Sequence, residues 1–249
     1  MNKHKILIKI VGIIFVVFVL CPMMCKSDNI SYNYNDMLDT VYTNVILNLS
    51  NDAGQEYVDK LYFVGDSTTY HFFKGGIDRS HILVPDSYTL KLTSDINNIL
   101  VGDKKMTISK TLHEENCEIV IITLGANGAD SFSETKYKTY YKKLIADIKK
   151  ESPNTKIIIQ SVFPVADFYS DLNIGITNEG INRINKWALE IANEENVKYL
   201  DTQSILKDDT GAQIQSYGEN DGIHMNSKAY EKIIYYIRTH ALESEYSDD

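Results

Sequence analysis

Three short stretches carry the residue types that nucleophilic catalysis needs. Val64-Gly65-Asp66-Ser67-Thr68-Thr69 puts a serine hydroxyl directly after an apolar run, where a strand would turn tightly into a helix. A serine there is exposed, and its own backbone N–H, free at a helix start and backed by the helix dipole, suits a developing oxyanion. Gly125-Ala126-Asn127-Gly128 brackets an asparagine with glycines, so the backbone can turn sharply and aim one amide group at a neighbouring strand end. Asp221-Gly222-Ile223-His224 lets a carboxylate and an imidazole share one turn. The carboxylate then fixes the tautomer and orientation of the ring while the other ring nitrogen faces a serine. Each stretch has a plainer explanation alone: a helix cap for Asp66 and Ser67, an Asn-Gly turn for Asn127, a surface histidine for His224. Their company decides, because all three fall just past a predicted strand or just before a predicted helix.

The elements that must position them alternate regularly. Apolar runs at 61–64, 81–84, 118–124 (EIVIITL), 156–162 (KIIIQSV) and 197–200 read as strands, the β-branched ones buried on both faces as in a parallel sheet. Between them, Tyr137, Tyr140, Tyr141, Leu144, Ile145 and Ile148 form a helical stripe, and Ile181, Ile184, Ala188 and Ile191 a second. Tyr230, Ile233, Ile234, Ile237 and Ala241 form a third, opened by an Asn226 or Ser227 cap. The pattern predicts one three-layer α/β/α domain on a mainly parallel sheet, with ligands at the carboxyl ends of the strands.

The 249 residues contain 43% hydrophobic and 24% charged residues, 13 Gly and 4 Pro, which excludes a wholly disordered, collagen-like or disulfide-stapled chain. Residues 1–26 hold four Lys and no acid, so the remainder carries 21 basic against 34 acidic residues, or −13. A body that acidic is a poor partner for nucleic acid or an anionic membrane surface. Lys3, Lys5 and Lys9 precede the uncharged run IVGIIFVVFVLCPMMC, and 1–26 is expected to be a signal peptide or signal anchor. No A-x-A cleavage site follows, which favours retention, and the basic flank places the rest outside the cytoplasm. Leu20 and Met24 are too bulky for a lipoprotein site at Cys21 or Cys25, and only Cys117 lies beyond, so no disulfide can form within the exported part. Residues 27–58 are expected to be a polar stalk with one short helix over 37–49, and 59–249 the folded domain.

Together the three stretches resemble the SGNH/GDSL hydrolase family: Gly65-Asp66-Ser67 its first block, Gly125-x-Asn127 its Gly-x-Asn-Asp block, Asp221-x-x-His224 its last, over roughly residues 60–240. The resemblance implies a flavodoxin-like fold, Ser67 as nucleophile, His224 as general base and acid, and Asp221 as its orienting partner. It also implies an oxyanion hole from the Ser67 N–H and the Asn127 side chain, with no cofactor and no metal. Two positions depart from the pattern. Gly128 stands where the family has Asp, and Pro85-Asp86-Ser87-Tyr88-Thr89 lacks the glycine of the second block, another oxyanion donor.

Competing motifs are weak. His71, four residues past Ser67, could overlie it, but no carboxylate is placed to orient the ring. His113-Glu114-Glu115 lacks the second His of a zinc-protease helix, and G-x-x-x-x-G-K-[ST], G-x-G-x-x-G, CxxC and G-x-S-x-G are all missing. The expectation is a monomeric serine esterase acting on an acyl ester or acylated glycan, with membrane contact through the N-terminal segment only. Two rivals remain: an O-acetyltransferase with the same triad, and a non-catalytic wall-binding module.

Overall fold

Five of the apolar runs pair into a single parallel sheet. The computed structural model describes residues 34, 38, 42–84, 99–101 and 104–242, and among these the strands are β1 (Leu61–Gly65), β2 (Ile82–Leu83), β3 (Ile99–Val101), β4 (Lys104–Met106), β5 (Ile119–Thr123), β6 (Lys156–Gln160) and β7 (Lys198–Leu200). The sheet order is β2-β1-β5-β6-β7, with β3 and β4 forming a separate antiparallel hairpin. Leaving out that hairpin, this is the flavodoxin-like 2-1-3-4-5 arrangement. β1 and β5 run in full register, from Leu61 opposite Ile119 to Gly65 opposite Thr123.

Alternation of side chains along each strand splits the core into two layers. Leu61, Phe63, Ile119, Ile121, Ile158 and Leu200 pack on helix α6 (Ser227–Arg238). Tyr62, Val64, Val120, Ile122 and Ile159 pack with α3 (Ile108–Glu114), α4 (Glu134–Glu151) and α5 (Asn178–Glu194). The three expected stripes are the buried faces of α4, α5 and α6, except that Tyr140 is half-buried and Ala241 lies past the end of α6. Asn226 is the cap, its Oδ1 accepting from the Ala229 N–H at 3.2 Å.

Among the described residues, packing into the domain starts before the expected boundary at 59. Val45 and Leu47 are buried, Ile46 forms a parallel bridge to Tyr199, and the Leu47 N–H donates to the Tyr199 carbonyl at 2.8 Å. The open edge of β7 needs hydrogen-bond partners, and this β-branched segment supplies them. Within 37–49, the described part from 42 is therefore a turn and an extended segment rather than a helix. Helix α1 (Gly54–Val58) then packs beside α6. The expected leader over 1–26 and the second-block segment Pro85–Thr89 lie outside the described residues. No helix among those residues is long and apolar enough to cross a membrane.

Candidate active site

The site grows from the sharp end of β1. Gly65 packs so tightly that a Cβ would stand 1.9 Å from Thr69 Oγ1 and 2.4 Å from the Thr123 carbonyl oxygen. Only glycine lets the chain turn there without moving β5. Asp66 is the N-cap of α2 (Ser67–Tyr70), its Oδ1 accepting from the Thr68 N–H at 3.0 Å and the Thr68 hydroxyl at 2.8 Å. Burial pushes the Asp66 carboxyl above its ordinary value, and those hydrogen bonds and the His224 charge offset this only in part. From the opposite helix, the Tyr230 hydroxyl donates to the Thr68 carbonyl at 2.5 Å and pins α2 to α6.

Ser67 opens α2, and its Oγ lies 3.2 Å from His224 Nε2. On the far side of the ring, His224 Nδ1 lies 2.7 Å from Asp221 Oδ2. The other Asp221 oxygen accepts from the backbone N–H groups of Ile223 (3.0 Å) and His224 (2.9 Å), so one carboxylate both folds the loop and holds the ring. Burial raises the Asp221 carboxyl, but the His224 ring and these N–H donors outweigh it and hold the group below its ordinary value. An ionised Asp221 fixes the proton on Nδ1, which leaves Nε2 as acceptor for the Ser67 hydroxyl.

Residues far from the sequence motifs support this constellation. Lys74, in the 3-10 turn His71–Gly75 that follows α2, donates to Glu219 Oε1 at 2.8 Å and to the Met225 carbonyl at 3.1 Å. It thereby ties the serine segment to both ends of the loop bearing Asp221 and His224. Beneath the site a buried polar row crosses three strand ends. Thr123 Oγ1 donates to Gln160 Oε1 at 2.7 Å, and Gln160 Nε2 donates to Thr202 Oγ1 at 2.8 Å. Neither Lys74 nor Gln160 sits in a pattern that local sequence reading could single out, since the partners of each lie far along the chain.

The model of the GDSL-like lipase/acylhydrolase family matches residues 63–232, most of the chain. The chain belongs to this family. As a GDSL-type acylhydrolase it is an enzyme of ester bonds, with the three-layer fold of the SGNH hydrolases. Solved structures with the same fold include a putative acylhydrolase from Bacteroides fragilis, 15% identical with a TM-score of 0.51, covering 82% of this chain and 94% of that one. A GDSL-like lipase from Bacteroides thetaiotaomicron is 14% identical with a TM-score of 0.51, covering 82% and 93%. A putative platelet activating factor protein from Streptococcus pneumonia is 15% identical with a TM-score of 0.51, covering 75% and 91%. No curated protein matches the chain.

Against the GDSL pattern, the structure brings Ser67, His224 and Asp221 into one hydrogen-bonded line. Asn127 lies on the loop leaving β5, whose carboxyl end is paired to that of β1, so it shares the sheet edge with Ser67. Gly125 and Gly128 on this loop have φ of +125° and +92°, which glycine alone adopts readily. Gly128 stands where the family has Asp, and two residues on, Asp130 Oδ1 accepts from the Thr177 hydroxyl at 2.7 Å, which ties this loop to the cap of α5. His71 does not take the place of His224: its ring lies edge-on beside that ring, and it is His224 Nε2 that meets the Ser67 hydroxyl.

Proposed function

We propose that this acylhydrolase is a serine esterase in which Ser67 attacks the ester carbonyl, His224 moves the proton and Asp221 orients the imidazole. The observation that carries the reading is the line Asp221 Oδ2–His224 Nδ1 (2.7 Å) and His224 Nε2–Ser67 Oγ (3.2 Å). As the serine oxygen bonds to the carbonyl carbon, its proton passes to Nε2. The tetrahedral oxyanion is held by the Ser67 N–H, aided by the α2 dipole, and by the Asn127 amide. Collapse expels the alcohol, which takes the proton from Nε2. A water then attacks the acyl-serine, giving its proton to Nε2; the acyl–Oγ bond breaks, Ser67 Oγ takes that proton back, and the acid leaves. Oxyanion donors of this kind are each worth about 10²–10³ in rate.

The substrate we propose is an O-acylated carbohydrate outside the cytoplasm, met by a domain that residues 1–26 export or anchor. The support for that location is the basic, then uncharged N-terminal run. The test is labelling by a fluorophosphonate together with hydrolysis of an ester panel, acetyl to octanoyl. Labelling and turnover are expected in the wild type and lost in Ser67→Ala. Folded wild-type protein that neither labels nor turns over any ester would leave the binding-module reading instead.

A further inference from the structure

Beyond the triad, a run of rings leads away from His224 to a cation. The His71 ring lies edge-on to His224 (centroids 4.6 Å apart), and Tyr70 lies edge-on to His71 (5.6 Å). Tyr70 is 44% exposed. At the end of the run the Arg79 guanidinium carbon sits 3.8 Å from the centre of the Phe73 ring and 5.1 Å from that of Tyr70. Arg79 Nη1 donates to the Tyr70 hydroxyl at 2.6 Å. The guanidinium is therefore held in place by stacking and one hydrogen bond, which leaves most of its five N–H groups unspent.

No carboxylate among the described residues forms an ion pair with Arg79. Its neighbour Asp78 is turned away, with Oδ1 accepting from the Ser80 N–H at 2.8 Å and the Ser80 hydroxyl at 2.7 Å. Nearby Lys74 is by contrast paired to Glu219. Of the three arginines, Arg183 faces Asp130 and Arg238 pairs with Asp52, whereas Arg79 is stacked beside an exposed aromatic ring instead. Guanidinium forks match planar or tetrahedral oxyanions, and exposed tyrosine faces suit the C–H face of a sugar.

The geometry points to Arg79, with Tyr70 and Phe73, as a subsite for an anionic group, carboxylate or phosphate, on the sugar portion of the ester substrate. This rests on the reading of Ser67 as the esterase nucleophile on carbohydrate, and it narrows that substrate to acidic glycans. The ester would sit at Ser67 while a neighbouring sugar lies along Tyr70 and its anion reaches the guanidinium.

Binding rather than turnover tests it. Titration calorimetry on Ser67→Ala protein would compare trigalacturonate, maltotriose phosphate and uncharged maltotriose. Trigalacturonate or the phosphate is expected to bind about tenfold or more tighter than maltotriose, with the tighter of the two identifying the oxyanion. Adding Arg79→Gln should abolish the difference and Arg79→Lys should keep part of it, while Lys150→Gln, equal in charge change but on α4, should leave it intact. Should Arg79→Gln fail to fold, Arg79→Lys and Tyr70→Phe carry the test, each expected to weaken the preference. Equal binding of charged and uncharged sugars, no binding of either, or a preference that survives Arg79→Gln would overturn the proposal. Fluorophosphonate labelling of the wild type reports the Ser67 reading separately, so either can fail alone.

Discussion

The imidazole of His71 meets that of His224 edge-on, with centroids 4.6 Å apart and ring planes at 71°. Two imidazoles this close cannot both carry charge cheaply. Burial first, then the positive charges of His224 and Lys74, hold His71 below its ordinary value, so His71 stays neutral where His224 must accept a proton. Replacement by phenylalanine keeps a ring against His224 and removes the titration. His71→Phe is expected to retain kcat within about tenfold at neutral pH, whereas His224→Phe loses on the order of 10⁴ or more. In stability the sign follows from the depressed folded pKa of a base. The unfolded chain takes up the proton first, so the wild type loses stability as pH falls through about 6.5 toward the lower folded value. Denaturation midpoints from pH 8 to 5 should fall less steeply in His71→Phe.

Asp221 serves two roles with two oxygens, and asparagine can keep one of them. Asp221→Asn can retain an oxygen for the Ile223 and His224 N–H groups but offers Nδ1 of His224 no carboxylate. The loop should hold while the ring loses its tautomer, for a drop in kcat of about 10⁴ with the melting temperature nearly unchanged. Ester turnover at fixed pH, with a thermal melt of the same sample, checks both halves.

Much of this arrangement was legible in the chain, and the reason is physical. Ser67, Asn127 and Asp221-x-x-His224 lie at element boundaries, where local sequence dictates the turn. The strands were readable because buried parallel strands are runs of Ile and Val. What escaped reading depends on partners distant in sequence. The hairpin of β3 and β4 has three residues per strand, too few for a period, and α3 has only seven. Val45–Leu47 reads as part of a polar stalk in the sequence because its role lies in completing the edge of β7, which no local pattern records.

Asp66 gives a pH dependence of opposite sense. Its carboxyl is raised by burial, so the folded protein holds this proton to higher pH than the unfolded chain. Stability from this group is therefore lowest above the folded pKa and rises as pH falls through it toward about 3.9, the unfolded value. Asp66→Asn keeps an oxygen for Thr68 and removes the buried charge. It should flatten that part of the profile, read as denaturation midpoints from pH 7 to 4.

Gly65 is the point where β1, β5 and α2 come closest. Because an added methyl would overlap Thr69 Oγ1 and the Thr123 carbonyl, Gly65→Ala must push β5 or α2 aside. The expected cost is about 1–3 kcal/mol, with a loss of activity larger than that destabilisation explains, since α2 carries Ser67. Denaturant unfolding and ester turnover of the same preparation would separate the two effects.

Lys74 tests whether the two halves of the site are held in register by a tie outside the motifs. Ser67 and His224 lie on segments joined by no strand pairing, and their 3.2 Å contact requires the 219–225 loop to stay against the turn after α2. Lys74 reaches both flanks of that loop, at Glu219 and at the Met225 carbonyl. The ion pair is partly exposed and should contribute under about 1 kcal/mol to stability. A displacement of the imidazole by about 1 Å, in contrast, can cost up to about 10²-fold in rate. Lys74→Met is therefore expected to lower kcat by about 10- to 100-fold on a small acetyl ester with KM and melting temperature little changed, and Lys74→Arg to recover part of the loss. An equal fall in stability and rate, unrelieved by arginine, would make Lys74 an ordinary surface contact and leave the register of Ser67 and His224 to Tyr230 and the Asp221 turn.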